Sequence, residues 1–206
     1  YRENIQMLDF TVDDYYINHI YASELWLWKY MDKHFSNSNN TRIIKQLNDE
    51  KKHSAMARGA LKKDLRRRNI KHFYSNTKYS IENAIYEDLC GIDVDNLDPD
   101  NFPEFVYVVE RRATFLFKMY VKHGTNEYYK KMTKRLIHDE EDHLDIHKHK
   151  HNDSSVLQYY KKCDSLIWKK IASVYAKDNK SFFHNKQYWE DLFSGKLKEK
   201  LDVRLS

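Results

Sequence analysis

Turn-forming and cross-linking residues are scarce in this 206-residue sequence, which contains four glycines, two prolines and two cysteines. So few chain breakers argue against a β fold, whose strands are bounded by frequent turns. Cys90 and Cys163 are far apart and form no C-x-x-C pair, which excludes an iron centre held by cysteines and favours a reducing cytoplasm over a disulfide scaffold. No apolar run approaches the ~20 residues that span a bilayer, so we expect a cytoplasmic protein without a transmembrane segment.

The sequence does contain long stretches of helical periodicity. Apolar residues recur every three or four positions, and 41% of all residues are hydrophobic. We therefore predict one all-α domain over residues 1–206, a four-helix bundle with a long crossover and additional C-terminal helices. The predicted core helices cover about residues 12–35, 41–69, 103–123 and 125–149, and the accessory helices about 80–90, 155–177 and 182–201.

Local signals set several of these helix boundaries. Thr11 followed three residues later by Asp14 predicts a capping box at the start of the first helix. Gly124 and Thr125 are a natural C′ residue and a natural N-cap, so they predict the turn between the last two core helices. The acidic, proline-bearing segment 92–103 predicts the crossover.

Two Glu-x-x-His pairs, each preceded by a lone glutamate, are the most informative feature of the sequence. The interval from the lone glutamate to the pair is 26 residues in the first half (24 to 50) and 30 in the second (110 to 140). A Glu from each of two helices plus a Glu-x-x-His from each of two others is the ligand set of di-iron and di-manganese carboxylate bundles. The candidate metal ligands are Glu24, Glu50, His53, Glu110, Glu140 and His143.

Helix geometry tests whether these side chains can meet. By the axial rise of an α-helix, Glu24 lies ~17 Å and Glu50 ~14 Å from the first turn, while Glu110 lies ~21 Å and Glu140 ~22 Å from the second. All four glutamates interrupt apolar stripes, and a buried ionised carboxylate is costly unless it is paired or metal-bound. The sequence therefore predicts that each helical hairpin brings its ligands to one level, around a pair of redox-active divalent metals.

The segments that carry these ligands resemble the ferritin-like di-iron carboxylate superfamily. The likeness covers about residues 15–150 and lies in Ala22-Ser23-Glu24, Asp49-Glu50-x-x-His53, Glu110-Arg111-Arg112 and Asp139-Glu140-x-x-His143. Within the superfamily the chain is most similar to the tRNA hydroxylase that acts on a thiomethylated isopentenyl adenosine. The resemblance implies an oxygen-dependent oxidase or monooxygenase that holds two Fe ions (or Mn, or a mixed pair) and takes electrons from a donor. It also implies that Glu50 and Glu140 bridge the metals.

The first ligand has an alternative. The interval from Glu24 to Glu50 is shorter than in the families that the chain resembles, which leaves Asp14 as the other candidate. On a continuous helix Asp14 would lie ~15 Å further from the turn than Glu24. The level of the other ligands therefore favours Glu24.

A basic run near the end of the second predicted helix is a candidate tRNA-binding surface, because Lys and Arg neutralise phosphates. The alternative is that these cations only stabilise the C-terminus of the helix through its dipole. The net charge of +5 permits contact with a polyanion without requiring it. The cations are Arg58, Lys62, Lys63, Arg66, Arg67 and Arg68.

Histidines also cluster around the second Glu-x-x-His pair. Because lysines interleave with them, we interpret His138, His147, His149 and His151 as a solvated helix end. The alternative concerns His147, which is four residues beyond His143 and could share its face.

Two other functions compete with the oxidase. A ferritin-like ferroxidase that stores iron would form a large hollow assembly, and the extra C-terminal helices and positive charge argue against it. A bundle without catalysis that recognises RNA or a protein would not need all six ligands. The substrate and the electron donor are unknown from the sequence.

Overall fold

The computed structural model describes residues 11–70, 86–87, 90–148 and 154–175. Over these residues the protein is all-helical and contains no strand, which confirms the predicted class. No helix among them has the length and apolarity needed to cross a bilayer. The helices are α1 (Val12–Phe35), α2 (Thr41–Arg67), α3 (Phe102–His123), α4 (Glu127–Lys148) and α5 (Ser155–Tyr175), with a 3₁₀ turn at Val94–Asn96. The predicted helix over 182–201 and most of the one over 80–90 lie outside the described residues.

The start of α1 confirms the predicted capping box. The Thr11 hydroxyl accepts a hydrogen bond from the Asp14 backbone N–H at 3.3 Å, and the Asp14 carboxylate accepts one from the Thr11 N–H at 2.7 Å. Two of the N–H groups that a helix start leaves without an intrahelical partner are thereby satisfied. The box fixes where α1 begins and therefore the level of every residue along it.

The predicted cap of α4 is wrong by one residue. Asn126, not Thr125, caps this helix, since its side-chain oxygen accepts from the N–H groups of Tyr128 and Tyr129 at 3.0 and 3.2 Å. The Thr125 hydroxyl does not cap α4, because it donates to the buried carboxylate of Asp13 on α1. A tertiary hydrogen bond to a charged group outweighs a local cap here.

Gly124 ends α3 as predicted, but for a different reason. Its φ of −61° is open to any residue, so the turn needs no left-handed conformation. A Cβ at this position would lie 2.6 Å from the Tyr120 ring, which is closer than real Cβ atoms approach. Glycine is required because the Tyr120 ring packs directly over the chain.

Packing follows the two predicted hairpins. Helix α1 packs on α2 and α3 packs on α4, while α2 also contacts α4 and α3 contacts α5. Fully buried apolar side chains such as Ile17 on α1, Leu61 on α2 and Phe105 on α3 lie between them, and their burial is the main stabilising contribution. The four glutamates of the Glu…Glu-x-x-His repeat lie on these inward faces.

The segment between α2 and α3 is held against α1. Trp26 donates its indole N–H to Asp95 at 3.0 Å, and the Tyr30 hydroxyl donates to the backbone oxygen of Leu97 at 2.5 Å. The Tyr30 ring also stacks on Phe102, at 4.8 Å between ring centroids. These contacts fix the position of the segment that precedes α3 and of the first residue of α3 against α1.

Candidate metal centre

All six predicted ligands are buried in the interior between α1, α2, α3 and α4. The four glutamates are at most 6% exposed, and both imidazoles are inaccessible to solvent. In each Glu-x-x-His pair, three-residue spacing puts the carboxylate and the imidazole on one face of the helix. The repeated Glu…Glu-x-x-His pattern therefore places four carboxylates and two imidazoles on the inward faces of the helices.

His53 lies at the centre of the first half of the site. Its Nδ1 is 3.1 Å from Glu140 Oε1, 3.6 Å from Glu24 Oε2 and 3.8 Å from Glu50 Oε2. One ligand atom from each of these four residues lies within 4.8 Å of the others, which is the spacing of groups that could hold one metal ion.

His143 occupies the corresponding place in the second half. Its Nδ1 is 3.1 Å from Glu50 Oε1, 3.6 Å from Glu140 Oε2 and 3.7 Å from Glu110 Oε1. Ligand atoms of Glu50, Glu110 and His143 form a second group within the same 4.8 Å limit. Glu50 belongs to both groups, and Glu140 contacts both imidazoles.

Polar atoms converge here without making hydrogen bonds. Both oxygens of Glu50, Glu140 Oε1 and the Nδ1 atoms of His53 and His143 are buried and have no hydrogen-bond partner among the described residues. Two Nδ1–oxygen distances are nevertheless 3.1 Å, so the groups are close but not aligned. Buried polar groups are normally satisfied, and exceptions call for an ion or another ligand. The donor set fits a pair of divalent metal ions.

The acids of the site divide into two kinds in the metal-free protein. Burial, followed by the charges of Glu140 and Glu50, raises the pKa of Glu24 and of Glu110 well above the ordinary value. Burial acts in the same direction on Glu50, but the positive charge of His143 and the contacts with His143, His53 and Glu24 together outweigh it and hold the pKa of Glu50 well below the ordinary value. The pKa of Glu140 falls to about 2 because contacts with Glu110 and the two imidazoles outweigh its burial.

The imidazoles complete the charge balance. Burial acts to lower the pKa values of His53 and His143, but the surrounding carboxylates raise both far above the ordinary value. These shifts favour protons on both imidazoles, on Glu24 and on Glu110, and the protons offset the negative charge of the cluster. Without a metal, the site balances its charge with protons.

Aspartates lie at the outer edges of both imidazoles, and sequence reasoning noted Asp49, Asp139 and Asp142 near the motifs but assigned none of them to a histidine. Asp139 Oδ2 lies 3.0 Å from His53 Nε2 and also accepts from Lys52 at 3.1 Å. Asp49 Oδ2 lies 3.5 Å from His143 Nε2. The signal was present, because both pairs read Asp-Glu-x-x-His and each aspartate serves the histidine of the other helix. Such carboxylate contacts fix the tautomer and orientation of a ligating imidazole.

A buried chain of polar side chains supports Glu110. Gln46 donates its amide N–H to Glu110 Oε1 at 3.1 Å, and His147 Nε2 lies 2.8 Å from Gln46 Oε1. His147 is only 5% exposed, so the prediction that it belongs to a solvated helix end is wrong. His138 is exposed, and His149 and His151 lie outside the described residues.

Asp14, the alternative first ligand, makes hydrogen bonds outside the cluster of candidate ligands. Its carboxylate accepts hydrogen bonds from Thr11, Arg68 and Tyr129, and it belongs to neither group of potential ligands. The structure brings Glu24 to the cluster instead. Arg68 is also not the free cation that the basic run suggested, because it pairs with Asp14 at 2.5 Å and Asp64 at 3.0 Å.

The rest of the basic run remains on the surface of α2. Five of its six side chains are exposed, namely Arg58, Lys62, Lys63, Arg66 and Arg67. Lys63 lies over the Tyr128 ring at 5.6 Å and Arg58 over the Tyr21 ring at 6.0 Å. The surface therefore keeps its positive charge and has aromatic rings beside it.

A small cavity between α1 and α3 reaches the site. Glu24 and Glu110 form part of its wall, and the other lining residues include Tyr16, Ile20 and Phe117. The imidazoles face the opposite side, towards Asp139 and Asp49. The cavity offers a mostly apolar approach to the terminal carboxylates.

No protein-family model, curated protein or solved structure matches this chain. The fold and the site together define a general class of protein. It is an all-helical protein with a buried cluster of glutamates and histidines that could hold metal ions.

Proposed function

We propose that the protein is a ferritin-like four-helix bundle that binds two metal ions and acts as an oxygen-dependent oxidase or monooxygenase. The observation that carries this proposal is the pair of buried ligand groups that share Glu50. Four carboxylates and two imidazoles from four helices are the ligand set of di-iron and di-manganese bundles. The packing of α1 on α2 and of α3 on α4, and the hydrogen bond that holds the intervening segment on α1, support such a bundle with a crossover.

Charge supports two divalent ions over one. With every ligand in its metal-binding form, four carboxylates carry a charge of about −4, which two ions of +2 neutralise. Oxygen and imidazole ligands without a thiolate suit iron and manganese. We therefore propose two Fe ions, with Mn or a mixed pair as the alternative metals.

The residues of the site would have different roles in holding the ions. Glu50 and Glu140 lie between the imidazoles and would bridge the ions, while Glu24, His53, Glu110 and His143 would each hold one ion. A bound ferrous pair supplies electrons for the reduction of oxygen. Asp139 and Asp49 would keep the imidazoles in one orientation and hold the proton on each Nε2.

The apolar cavity supports an oxidase that reacts with a small molecule at Glu24 and Glu110. Ile20, Val109 and Phe117 exclude water from this approach, and they leave the terminal carboxylates as its polar end. Exclusion of water protects a reactive oxidant from side reactions. Reducing equivalents would come from a separate electron donor.

The exposed cations of α2 support tRNA as the substrate or partner. Arg58, Lys62, Lys63, Arg66 and Arg67 can neutralise phosphates, and the neighbouring Tyr21 and Tyr128 rings could stack on bases. Arg68 is not part of this proposed surface because two buried acids hold it and its side chain is 28% exposed, whereas Arg67, which donates to Asp64 at 2.6 Å, keeps 69% of its side chain exposed.

Anaerobic loading with Fe²⁺ followed by oxygen tests the proposal. We expect two ions per chain by elemental analysis and an optical change on exposure to oxygen. Glu127→Gln should bind the same number of ions as the unaltered protein and serves as the control for variants of the candidate ligands. Glu127 is an exposed glutamate on α4, and it pairs with Lys130 on the same helix at 2.8 Å. Uptake of fewer than two ions by the unaltered protein contradicts the proposal. Gel filtration separates it from iron storage, which requires a large hollow assembly.

A further inference from the structure

The two halves of the metal centre repeat their ligands but not the residues behind them. In the half that contains Glu110, Gln46 stands four residues before Glu50 and His147 stands four residues after His143. The corresponding positions of the other half, four before Glu140 and four after His53, are Leu136 and Ala57, both completely buried. Neither of these apolar side chains can form a hydrogen bond.

Hydrogen-bond chemistry fixes the direction of the polar chain. Gln46 presents an N–H to Glu110 Oε1 at 3.1 Å and its oxygen to His147 Nε2 at 2.8 Å. As a ligand to the proposed metal pair Glu110 is a carboxylate, and the reversed amide would then put two acceptors face to face. His147 therefore donates from Nε2 and keeps the Gln46 N–H aimed at Glu110. All three side chains are buried, so water does not compete for these bonds.

We infer that Gln46 and His147 form a clamp on Glu110 and make the two metal positions unequal. The inference rests on the proposed metal pair and assigns positioning roles to two residues outside the ligand set. One Glu110 oxygen is held by the clamp, whereas the equivalent apolar residues, Leu136 and Ala57, offer the Glu24 carboxylate no hydrogen bond. The position served by Glu110 and His143 is the rigid one, and the position served by Glu24 and His53 is the adaptable one.

Gln46→Leu tests the clamp, because it copies the residue that the repeat places in the other half. Removing an outer partner of a metal ligand typically lowers metal affinity by ~10- to 100-fold. We expect a loss of that size in one of the two Fe²⁺ binding steps, with the other unchanged. In the Mössbauer spectrum of the anaerobic ⁵⁷Fe²⁺-loaded protein, one of two quadrupole doublets should move. A merely structural change would affect both doublets together.

A second pair of variants covers the case in which Gln46→Leu does not fold. His147→Leu removes the donor that orients Gln46, whereas His147→Gln keeps an N–H donor at the same place. The leucine variant should reproduce the loss in one binding step, and the glutamine variant should restore it. Two ions bound with both steps altered equally, or with neither altered, would overturn the clamp and leave the proposed function standing. Failure of the unaltered protein to bind two ions would instead remove the proposed function.

Discussion

Two buried polar regions of this protein contain similar side chains but differ in how completely those side chains are hydrogen-bonded. Around Asp13 and Asp14, every carboxylate oxygen accepts hydrogen bonds, from donors that include Tyr120, Thr125, Tyr129 and Arg68. We refer to this region as the aspartate network. At the candidate metal centre, both oxygens of Glu50, Glu140 Oε1 and the Nδ1 atoms of the two imidazoles converge without hydrogen bonds among the described residues.

The difference shows how a structural acid is told from a candidate ligand. Burial alone does not separate them, since Asp14 is as buried as the glutamates of the metal centre. Hydrogen bonding separates them, because a buried carboxylate whose oxygens all accept hydrogen bonds gains little from an ion, whereas converging oxygens and nitrogens without aligned hydrogen bonds gain much. The predictions below test this distinction.

The largest effect is expected from Glu50→Ala. Glu50 belongs to both ligand groups, so its loss should abolish binding of both ions. Glu24→Ala should remove only one, because Glu24 belongs to a single group. Elemental analysis after anaerobic loading and desalting gives the stoichiometry. Asp14→Asn is the control from the aspartate network and should retain two ions; a loss there would show that the two regions are not distinct.

Metal uptake should depend steeply on pH. The pKa values of Glu24, Glu110, His53 and His143 are all raised in the metal-free protein, so these groups keep their protons to a higher pH than free side chains do. Each proton must leave before its group binds a metal, and protons therefore compete more strongly as the pH falls. With two protons released per ion, affinity should rise about 100-fold per pH unit, at tenfold per proton. Competition titrations with a chromophoric chelator at several pH values measure this slope, and a flat profile would contradict the assigned protonation.

The helix pattern was readable from the sequence because it depends on local signals. The predicted ranges 12–35 and 41–69 compare with Val12–Phe35 and Thr41–Arg67. The six ligands could be named because the Glu-x-x-His spacing is itself a property of a helix. Thr125 was misassigned because its partner, Asp13, is distant in sequence.

The supporting residues were harder to predict for the same reason. Asp139 serves His53 and Gln46 serves Glu110, each across two helices. Which residues meet across helices depends on how the helices are rotated about their axes, and periodicity fixes that rotation only coarsely. His147 was misread because its neighbours in sequence are charged, although the helix turns it towards Gln46.

Arg68→Ala should destabilise the fold without removing the metal ions. The change leaves the buried carboxylate of Asp14 without its cation, and it leaves Asp64 paired with Arg67, which donates to it at 2.6 Å. Breaking a buried pair costs several kcal/mol, and we expect roughly 3 kcal/mol because the Arg68 side chain is 28% exposed. Urea unfolding of the metal-free protein measures the loss. Arg66→Ala is the matched control, since Arg66 is an exposed arginine at the same end of α2 and its replacement should cost less than about 0.5 kcal/mol.

The smallest effect on the fold is expected from the exposed cations of α2. Replacing Lys62, Lys63 and Arg66 by Gln should change the free energy of unfolding by less than about 0.5 kcal/mol per site, because surface substitutions rarely do more. The same replacement should weaken binding to tRNA and reduce its salt dependence, since each lost phosphate contact lowers the slope of log affinity against log salt by about one. Fluorescence anisotropy with labelled tRNA over a salt series measures both quantities. Replacing Lys131, Lys134 and Arg135, which are exposed on α4, provides a control of equal charge. An equal loss from both sets would mean that tRNA responds only to net charge, and the proposed surface on α2 would be rejected.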